Sequence, residues 1–416
     1  MFPRRAEDDS EHVAGNAPCG AAEYFEWYNA GNAMKIVFAG GGTGGHFYPI
    51  IAVAEAINHI VATEHLIAPS LVYMAPTPFD QEALFQNNLL YVKSPAGKMR
   101  RYFAVSNFFD VFRTAWGVVW AFFTLLSSPP DVVFSKGGFA SVPIVIAAHF
   151  LGIPIVIHES DSKPGRANLL AAKYAERIAI TFESSAAFFP QKVRSKIALT
   201  GIPIREALAH PLPEGAAQEL GLDPRVPTVL VIGGSLGSQR INETLVGALA
   251  TIVEGANIIH QTGKNNFSQT QALANLVLEK SAYKNRYKVF PYLSQDSMRE
   301  AAGAASLVIS RAGSTSITEI SLWGKPSVLI PIPESVSHDQ RTNAYAYAHT
   351  GACVVLEEGN LTPNILASEI RRITSDVELQ ATMIAHSKGF ANPNAANIIA
   401  SELLRIALSH QPQPKV

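Results

Sequence analysis

Short apolar segments alternate with longer amphipathic segments over most of the chain. The amphipathic segments repeat apolar residues at helical spacing, and a regular alternation of strand and helix is typical of βαβ units in a parallel sheet. A helix is predicted over 50–60, after the first strand. The predicted strands are 35–39, 70–74, 131–134, 153–157, 177–181, 197–200, 227–232, 257–260, 287–290, 306–309, 327–330 and 353–356. The pattern predicts an α/β fold.

The rhythm of strands and helices occurs twice, on either side of a proline-rich break at about 203–227. The halves also resemble each other, because Phe38–Gly45 corresponds to Val231–Gly237 and Val132–Gly138 corresponds to Leu307–Gly313. We therefore predict two Rossmann-like domains with parallel sheets that face each other across a cleft. Ligands of open α/β sheets bind beyond the carboxyl ends of the strands, where the glycine loops lie.

The first glycine loop is the most informative motif. Gly40-Gly-Gly-Thr43-Gly-Gly45-His46 joins a predicted strand to a predicted helix. Glycine N–H groups can approach a ligand closely, and a helix N-terminus favours negative charge. His46 follows directly, and a titratable side chain there indicates chemistry as well as binding. A turn without any ligand is the alternative, but the spacing excludes both the GxGxxG dinucleotide fingerprint and the P-loop.

Three features of the second half suggest a nucleotide diphosphate. Gly233–Ser238 again joins a strand to a helix, and the Ser235 hydroxyl and nearby N–H groups are suited to a pyrophosphate. Arg205 lies at the domain junction, where it could pair with phosphate, although a lone Arg is more often a solvated surface residue. Glu319, at a helix start rich in hydroxyl residues, is either a helix cap or an acceptor for two ribose hydroxyls.

Residues His158–Asp161 follow a predicted strand of the first half. Asp161 and His46 both lie at strand ends of one domain, so they are expected to share a cleft. The chain has no trio with metal-ligand spacing and no GxSxG elbow. These observations favour displacement at a phosphate-linked substrate, without a metal, a cofactor or covalent catalysis.

Composition and charge restrict the class of protein. The chain has 416 residues, 48% hydrophobic and 16% charged, with a formal net charge of −1. A near-neutral balance argues against nucleic-acid binding. Cys19 and Cys353 cannot form a disulfide framework or a metal knuckle, which fits a reducing cytoplasm. Residues 1–33 are polar and lack a regular pattern, so they are interpreted as a disordered tail or an over-long start before Met34.

The segment 98–126 combines a basic cluster with a long apolar run. The uncharged run after Arg113 is shorter than the roughly 20 residues that span a bilayer. One interpretation is a buried core helix. The other, which the adjacent Lys98, Arg100 and Arg101 favour, is a helix that lies on an anionic membrane surface.

Taken together, the motifs resemble the MurG family, the N-acetylglucosaminyltransferases of bacterial peptidoglycan synthesis. The motifs that carry the resemblance, which covers about 35–405, are Gly41-Gly-Thr-Gly-Gly-His46-x-x-Pro49, His158-Glu-Ser-Asp161-x-x-Pro-Gly165, Gly233-Gly-Ser-x-Gly237, Ser310-Arg-x-Gly313 with Glu319, and Gln340-x-x-Asn343-Ala344. The resemblance implies a GT-B fold and an inverting transfer of N-acetylglucosamine from UDP-N-acetylglucosamine to the 4-hydroxyl of lipid I. It also implies a peripheral protein on the cytoplasmic face of the bacterial inner membrane.

The resemblance implies a role for each motif residue. Thr43, Gly44 and Gly45 would contact donor or acceptor groups, while Arg205, Ser235, Ser314, Thr315 and Glu319 would hold UDP, with Glu319 on the ribose. The Leu293 backbone would contact the uracil and Gln340 the transferred sugar. His46 is the first candidate for the catalytic base. Asp161 is the second, because this chain has a carboxylate where other members carry Asn.

The implied domains are an acceptor and membrane-facing domain over 34–205, a linker over 206–226 and a UDP-sugar domain over 227–380. The last segment, 381–416, is expected to contain helices that pack back on the first domain. Two alternatives remain open: a GT-B transferase with another lipid acceptor, such as diacylglycerol, and a UDP-N-acetylglucosamine 2-epimerase. A sugar-nucleotide binder without activity would leave His46 and Asp161 without a purpose.

Overall fold

The computed structural model describes residues 34–98, 105–212, 215–234, 236–335 and 338–410. The tail 1–33, Arg100, Arg101 and Ser235, about which the sequence made predictions, lie outside the described residues. The described chain forms two sheets with helices on both faces of each sheet. All paired strands are parallel, which confirms the predicted α/β fold of two Rossmann-like domains.

The first sheet has seven strands in the order β3-β2-β1-β4-β5-β6-β7. Its strands are β1 Lys35–Ala39, β2 Ser70–Ala75, β3 Leu89–Lys93, β4 Val132–Ser135, β5 Ile155–Glu159, β6 Arg177–Ile180 and β7 Ile197–Leu199. The helices of this half are α1 Gly44–Thr63, α2 Gln81–Gln86, α3 Val105–Ser127, α4 Val142–Phe150 and α5 Arg166–Ala171. Two short helices, α6 Glu206–Ala209 and α7 Ala216–Glu219, lie within the segment predicted as a linker.

The second sheet has six strands in the order β10-β9-β8-β11-β12-β13. Its strands are β8 Thr228–Ile232, β9 Asn257–Gln261, β10 Tyr287–Phe290, β11 Leu307–Ser310, β12 Ser327–Leu329 and β13 Cys353–Val355. The helices are α8 Gln239–Gly255, α9 Phe267–Val277, α10 Gln295–Ala304, α11 Ser314–Leu322, α12 His338–Ala348, α13 Pro363–Ser375, α14 Val377–Phe390 and α15 Ala395–His410.

Two details of the first half differ from the prediction. Strand β3, a partly exposed edge strand, was missed although Leu89–Val92 is a short apolar run. Helix α1 begins at Gly44, six residues before the predicted start at Ile50. Pro49 and the glycines were taken as loop signals, but the helix runs through Pro49, which lies in its second turn and has no N–H to donate to the Gly45 carbonyl. The earlier start brings His46 into the first turn of α1.

The last helix, α15, belongs to the core of the first domain although it follows the second. Its apolar residues Ile399, Leu403 and Ile406 are buried together with Ile36 and Phe38 of β1 and with residues of α1. Helix α14 instead packs beside α11 and α13 of the second domain. The predicted boundary at 381 falls inside α14, so the chain returns to the first domain only after Phe390.

Helix α3 lies on the first domain with one face buried and the other in solvent. Ala121 and Leu125 are fully buried, and Gly117 is so close to the Pro95 carbonyl that a side chain at 117 would collide with it. The opposite face is apolar and exposed over Val111, Trp116, Val119, Trp120, Phe123 and Leu126. The helix is thus neither of the two predicted extremes alone, because it is half core and half exposed apolar surface.

Candidate active site

The first glycine loop ends in an open helix N-terminus. The loop follows β1, and Gly42, with a φ of 88°, has a left-handed backbone that a side chain would strain. Helix α1 then starts without an acidic residue in its first turn and without a side-chain hydrogen bond from its cap, Thr43. The first N–H groups of a helix have no partner inside the helix and favour an anion. The N-terminus of α1 is therefore suited to a phosphate or a developing negative charge.

His46 is held by its own loop and by a second one. Its Nδ1 lies 2.8 Å from Thr43 Oγ1, and a β-carbon placed on Gly138 would lie 3.4 Å from its Nε2. When Nδ1–H donates to Thr43, Nε2 has the free lone pair that a base requires. The pKa of His46 is lowered to about 4, mainly by burial and also by the charge of Lys136, while the charge of Asp161 opposes the shift. His46 is therefore neutral at pH 7.

Asp161 is in contact with the second domain. Its Oδ1 accepts a hydrogen bond of 2.8 Å from Nδ2 of Asn343 on α12. Asn343 Oδ1 in turn accepts from the Ser162 N–H at 2.8 Å, so one buried amide contacts two consecutive residues of the first domain. We call this pair of hydrogen bonds the Asn343 clasp. The second candidate base therefore already has a partner across the domain boundary.

Two helix N-termini meet across the cleft. Helix α11 begins after Gly313 with neither a side-chain cap nor an acid in its first turn. Thr315, in that turn, has its Oγ1 3.7 Å from the position that a β-carbon on Gly45 would occupy. The positive ends of α1 and α11 therefore point into one space, and the ligand contacts assigned to Gly45 and Thr315 stay predictions. Ser314 lies beside them and is buried.

Glu319 and Arg205 connect the second domain to the junction. Burial raises the pKa of Glu319 to about 7, and the positive charge of Arg205 opposes that rise. The Arg205 guanidinium stacks over the Tyr48 ring at 4.5 Å, and its Nε is buried with no hydrogen-bond partner among the described residues. Arg205 is thus not a solvated surface residue, since it lies between α1 and Glu319 with unused donor capacity.

Two further predicted residues have internal partners. The Leu293 N–H donates to Gln261 Oε1 at 2.9 Å. Unless Gln261 moves, only the Leu293 carbonyl oxygen is left to contact a uracil. Gln340 Oε1 accepts from the Ile332 N–H at 3.2 Å, which leaves its amide NH₂ for a ligand. The roles of these residues stay predictions.

Several residues near this site had no role predicted from the sequence. Asn343 was quoted within a motif but not assigned, and Lys136 was seen only as part of a repeated loop. Ser238 caps α8, because its Oγ accepts from the Ile241 N–H at 3.3 Å and lies 2.6 Å from Arg311 Nη2. The repetition of Val132–Gly138 in the second half was the available signal for Lys136.

A large cavity lies next to the site but does not contain it. Its volume is about 1160 Å³, and its walls come from both domains. Ser162 and Lys163 line one end, beside Asp161, and the walls continue along Arg341 and His349 of the second domain. The predicted UDP residues are absent from its described lining, so this cavity and the meeting point of α1 and α11 are separate parts of the interdomain cleft.

Models of known families match both halves of the chain. The model described as "Glycosyltransferase family 28 N-terminal domain" matches residues 36–180, and that described as "Glycosyltransferase family 28 C-terminal domain" matches 228–399. With two parallel sheets and two helix N-termini converging in the cleft, the protein is of the class of two-domain glycosyltransferases with the GT-B fold.

Relatives place the chain more closely. It is 34% identical to the UDP-N-acetylglucosamine–N-acetylmuramyl-(pentapeptide) pyrophosphoryl-undecaprenol N-acetylglucosamine transferase of Treponema denticola, over 88% of this chain and 96% of the relative. It is 35% identical to the protein of the same name from Clostridium kluyveri, over 88% and 97%. The crystal structure of Acinetobacter baumannii MurG matches with a TM-score of 0.69 and 24% identity, covering 89% of this chain and 99% of that one. The chain belongs to the MurG family.

Proposed function

We propose that this protein transfers N-acetylglucosamine from UDP-N-acetylglucosamine to the 4-hydroxyl of the muramic sugar of lipid I, forming lipid II and UDP in peptidoglycan synthesis. Relatives whose name describes this transfer align with this chain over nearly their whole length at 34–35% identity. The observation that carries the chemistry is the convergence of α1 and α11 beside His46 and Asp161. The helix N-termini are suited to bind a nucleotide diphosphate, and His46 or Asp161 is suited to accept the proton of a sugar hydroxyl.

The transfer is a single displacement with inversion. The acceptor 4-oxygen attacks the anomeric carbon, its proton passes to the base, and the bond to the UDP oxygen breaks. Negative charge develops on the departing diphosphate, and the N-termini of α1 and α11 with Arg205 are placed to stabilise it. Glu319 is assigned to the ribose hydroxyls and Gln340 to the transferred sugar.

Of the two candidate bases, we assign the proton to His46. Its neutral imidazole has Nε2 free in the tautomer that donates to Thr43, whereas one oxygen of Asp161 is engaged by the Asn343 clasp. Asp161 is within electrostatic reach of His46 and favours its protonated form, so it would stabilise the imidazolium produced by the transfer. In this assignment Asp161 assists the base instead of replacing it.

The function is tested with purified protein and labelled UDP-N-acetylglucosamine in three reactions, which contain lipid I, diacylglycerol or no acceptor. Label is expected in lipid II and not in a diacylglycerol product. Transfer to diacylglycerol alone would identify a transferase with another lipid acceptor. Conversion of the free donor to its 2-epimer would identify an epimerase. Neither alternative is favoured by the names of the relatives.

We also propose that α3 binds the cytoplasmic face of the membrane peripherally, where a lipid-linked acceptor lies. Trp116 and Phe123 are 58% and 62% exposed on its apolar face. By length and composition the segment Phe109–Ser127 could cross a bilayer, but its opposite face packs on the first domain through Ala121 and Leu125. A helix held on a domain in this way is suited to lie in the membrane–water interface with its apolar face towards the lipid.

The membrane proposal predicts that Trp116→Ser with Phe123→Ser weakens binding to anionic vesicles by roughly 100-fold or more, since each buried aromatic contributes about 1.5–3 kcal/mol. Phe85→Ser is the matched control, because Phe85 is 85% exposed on a different helix, α2. Vesicle co-sedimentation measures the partition. Neutralising Lys98, Arg100 and Arg101 should weaken it further, by about 1 kcal/mol for each charge. Equal sedimentation of the double variant and the control would contradict the proposal.

A further inference from the structure

Lys136 is a buried cation that the transfer, as described above, does not use. It follows β4 directly, is only 1% exposed, and its backbone N–H donates to the Ala39 carbonyl at the end of β1. Its Nζ donates a hydrogen bond to Ser160 Oγ. Lysine is almost never fully buried unless its charge is compensated. The burial of Lys136 at the carboxyl ends of β1 and β4 therefore indicates a specific role for its charge.

Ionisable groups from three parts of the fold face this ammonium. They are His46 from α1, His158 and Glu159 from β5, and Asp161 from the turn after β5. Burial lowers the pKa of Lys136 to about 8, and the charges of Glu159 and Asp161 oppose that shift. Lys136 therefore remains mostly protonated at pH 7, so a positive charge lies behind both candidate bases.

The turn that Lys136 contacts is itself tightly organised. One oxygen of the buried Glu159 carboxylate accepts from the Asp161 N–H at 2.9 Å, and the other accepts from the Gly165 N–H at 3.0 Å. Ser160, the partner of Nζ, lies between these two acids in the chain. The Lys136 hydrogen bond thus fixes the residue next to Asp161, while Glu159 fixes the Asp161 backbone.

Lys136 also touches the loops around His46. Its Cβ lies 3.1 Å from the position that a β-carbon on Gly40 would take, so the first glycine loop packs directly against it. Gly137 and Gly138 follow Lys136 in the chain, and Gly138 lies against the His46 ring. A displaced Lys136 would therefore move the surroundings of both His46 and Asp161.

We propose that Lys136 is a positioning residue for the transfer: its buried ammonium anchors the Ser160–Asp161 turn beside the first glycine loop, and its charge acts on the neighbouring His46. The inference rests on the proposed transferase function. Lys136 acts through His46 and Asp161 and is assigned no contact with substrate. Burial is the larger cause of the lowered pKa of His46, and the charge of Lys136 acts in the same direction, towards the unprotonated form that a base requires.

The test is the pH dependence of kcat/KM in Lys136→Met. Loss of the neighbouring positive charge makes His46 easier to protonate, so the acidic limb of the profile should move to higher pH. The kcat at the pH optimum should fall by up to roughly 100-fold, the cost of a displacement of about 1 Å. A lower kcat with an unmoved limb would overturn the role of the charge.

Lys163→Met is the matched control, because Lys163 is an exposed lysine two residues after Asp161. Solvent screens its charge, so the limb should stay in place. Ser160→Ala removes the acceptor of Nζ but keeps the buried charge, and it remains informative if Lys136→Met does not fold. It should lower kcat without moving the limb, and parental kcat in Ser160→Ala would overturn the anchoring role.

A substrate-free measurement separates this inference from the proposed function. The imidazole signal of His46, assigned in NMR spectra by its loss in His46→Gln, is followed against pH in the parent and in Lys136→Met. Its midpoint should rise in the variant and stay unchanged in Lys163→Met. An unchanged midpoint in Lys136→Met would overturn the coupling. Failure of the parent to use lipid I, with the midpoint shifted as expected, would overturn only the proposed function.

Discussion

His46→Ala is expected to lower kcat by about 10²–10⁴-fold, the usual contribution of a positioned general base. The affinity for UDP should stay near that of the parent, because the diphosphate is assigned to backbone N–H groups and Arg205, not to the imidazole. Steady-state transfer to lipid I gives kcat, and titration calorimetry gives the UDP dissociation constant. A loss of UDP affinity as large as the loss of kcat would mean that His46 binds the donor.

Asp161→Asn is the control for that experiment. Asparagine is the residue that the resemblance implies for this position in other members, and its amide can still pair with Asn343 through an oxygen acceptor. The variant is therefore expected to remain active. An inactive Asp161→Asn together with substantial turnover in His46→Ala would assign the base to Asp161, and His46 would then only orient the acceptor or the pyrophosphate.

Glu319→Ala is expected to weaken UDP binding by roughly 100-fold or more. A hydrogen bond to a charged acceptor is worth about 1.5–3 kcal/mol, and Glu319 is assigned two ribose hydroxyls, of which the variant keeps none. Calorimetry with UDP measures the effect. Glu378→Ala is the matched control, because Glu378 is an exposed acid in the first turn of α14. Unchanged UDP affinity in Glu319→Ala would remove Glu319 from the ribose role.

The same site should make UDP binding depend on pH. The pKa of Glu319 is raised to about 7, so the carboxyl is mostly protonated at pH 6 and mostly ionised at pH 8. The ionised form accepts from both ribose hydroxyls, so affinity should rise between these pH values. Glu319→Gln should lose this part of the pH dependence, while ionisation of UDP itself affects both proteins alike. Parallel pH profiles for parent and variant would contradict the assignment.

Most strands could be predicted because buried parallel strands are short apolar runs between turn residues. The runs at 35–39 and 287–290 match β1 and β10 to the residue. Strand β3, a partly exposed edge strand, was missed although Leu89–Val92 is also a short apolar run that follows Asn87 and Asn88. The start of α1 was misplaced because local glycine and proline signals oppose a helix, while the packing of Phe47 and Ile50 in the core favours one.

The candidate site could be predicted only in part. Glycine loops mark strand ends, so two facing sheets predicted that these loops line one cleft, but not that Gly45 and Thr315 approach each other there. The Asn343 clasp did not, because its partners lie 182 residues apart and nothing local in either segment announces the other. For Lys136 the sequence shows a lysine at a strand end, but neighbours from α1 and β5 decide whether it meets water or a buried turn.

The position of α15 has a consequence for how the protein matures in the cell. Buried residues of the first domain include Ile399, Leu403 and Ile406, which are synthesised only after the second domain. Until then, the apolar surface of α1 and β1 that they cover remains open, although the rest of that domain has long been synthesised. Premature termination before Ala395 should thus yield chains that aggregate or recruit chaperones, even with every predicted catalytic residue already present.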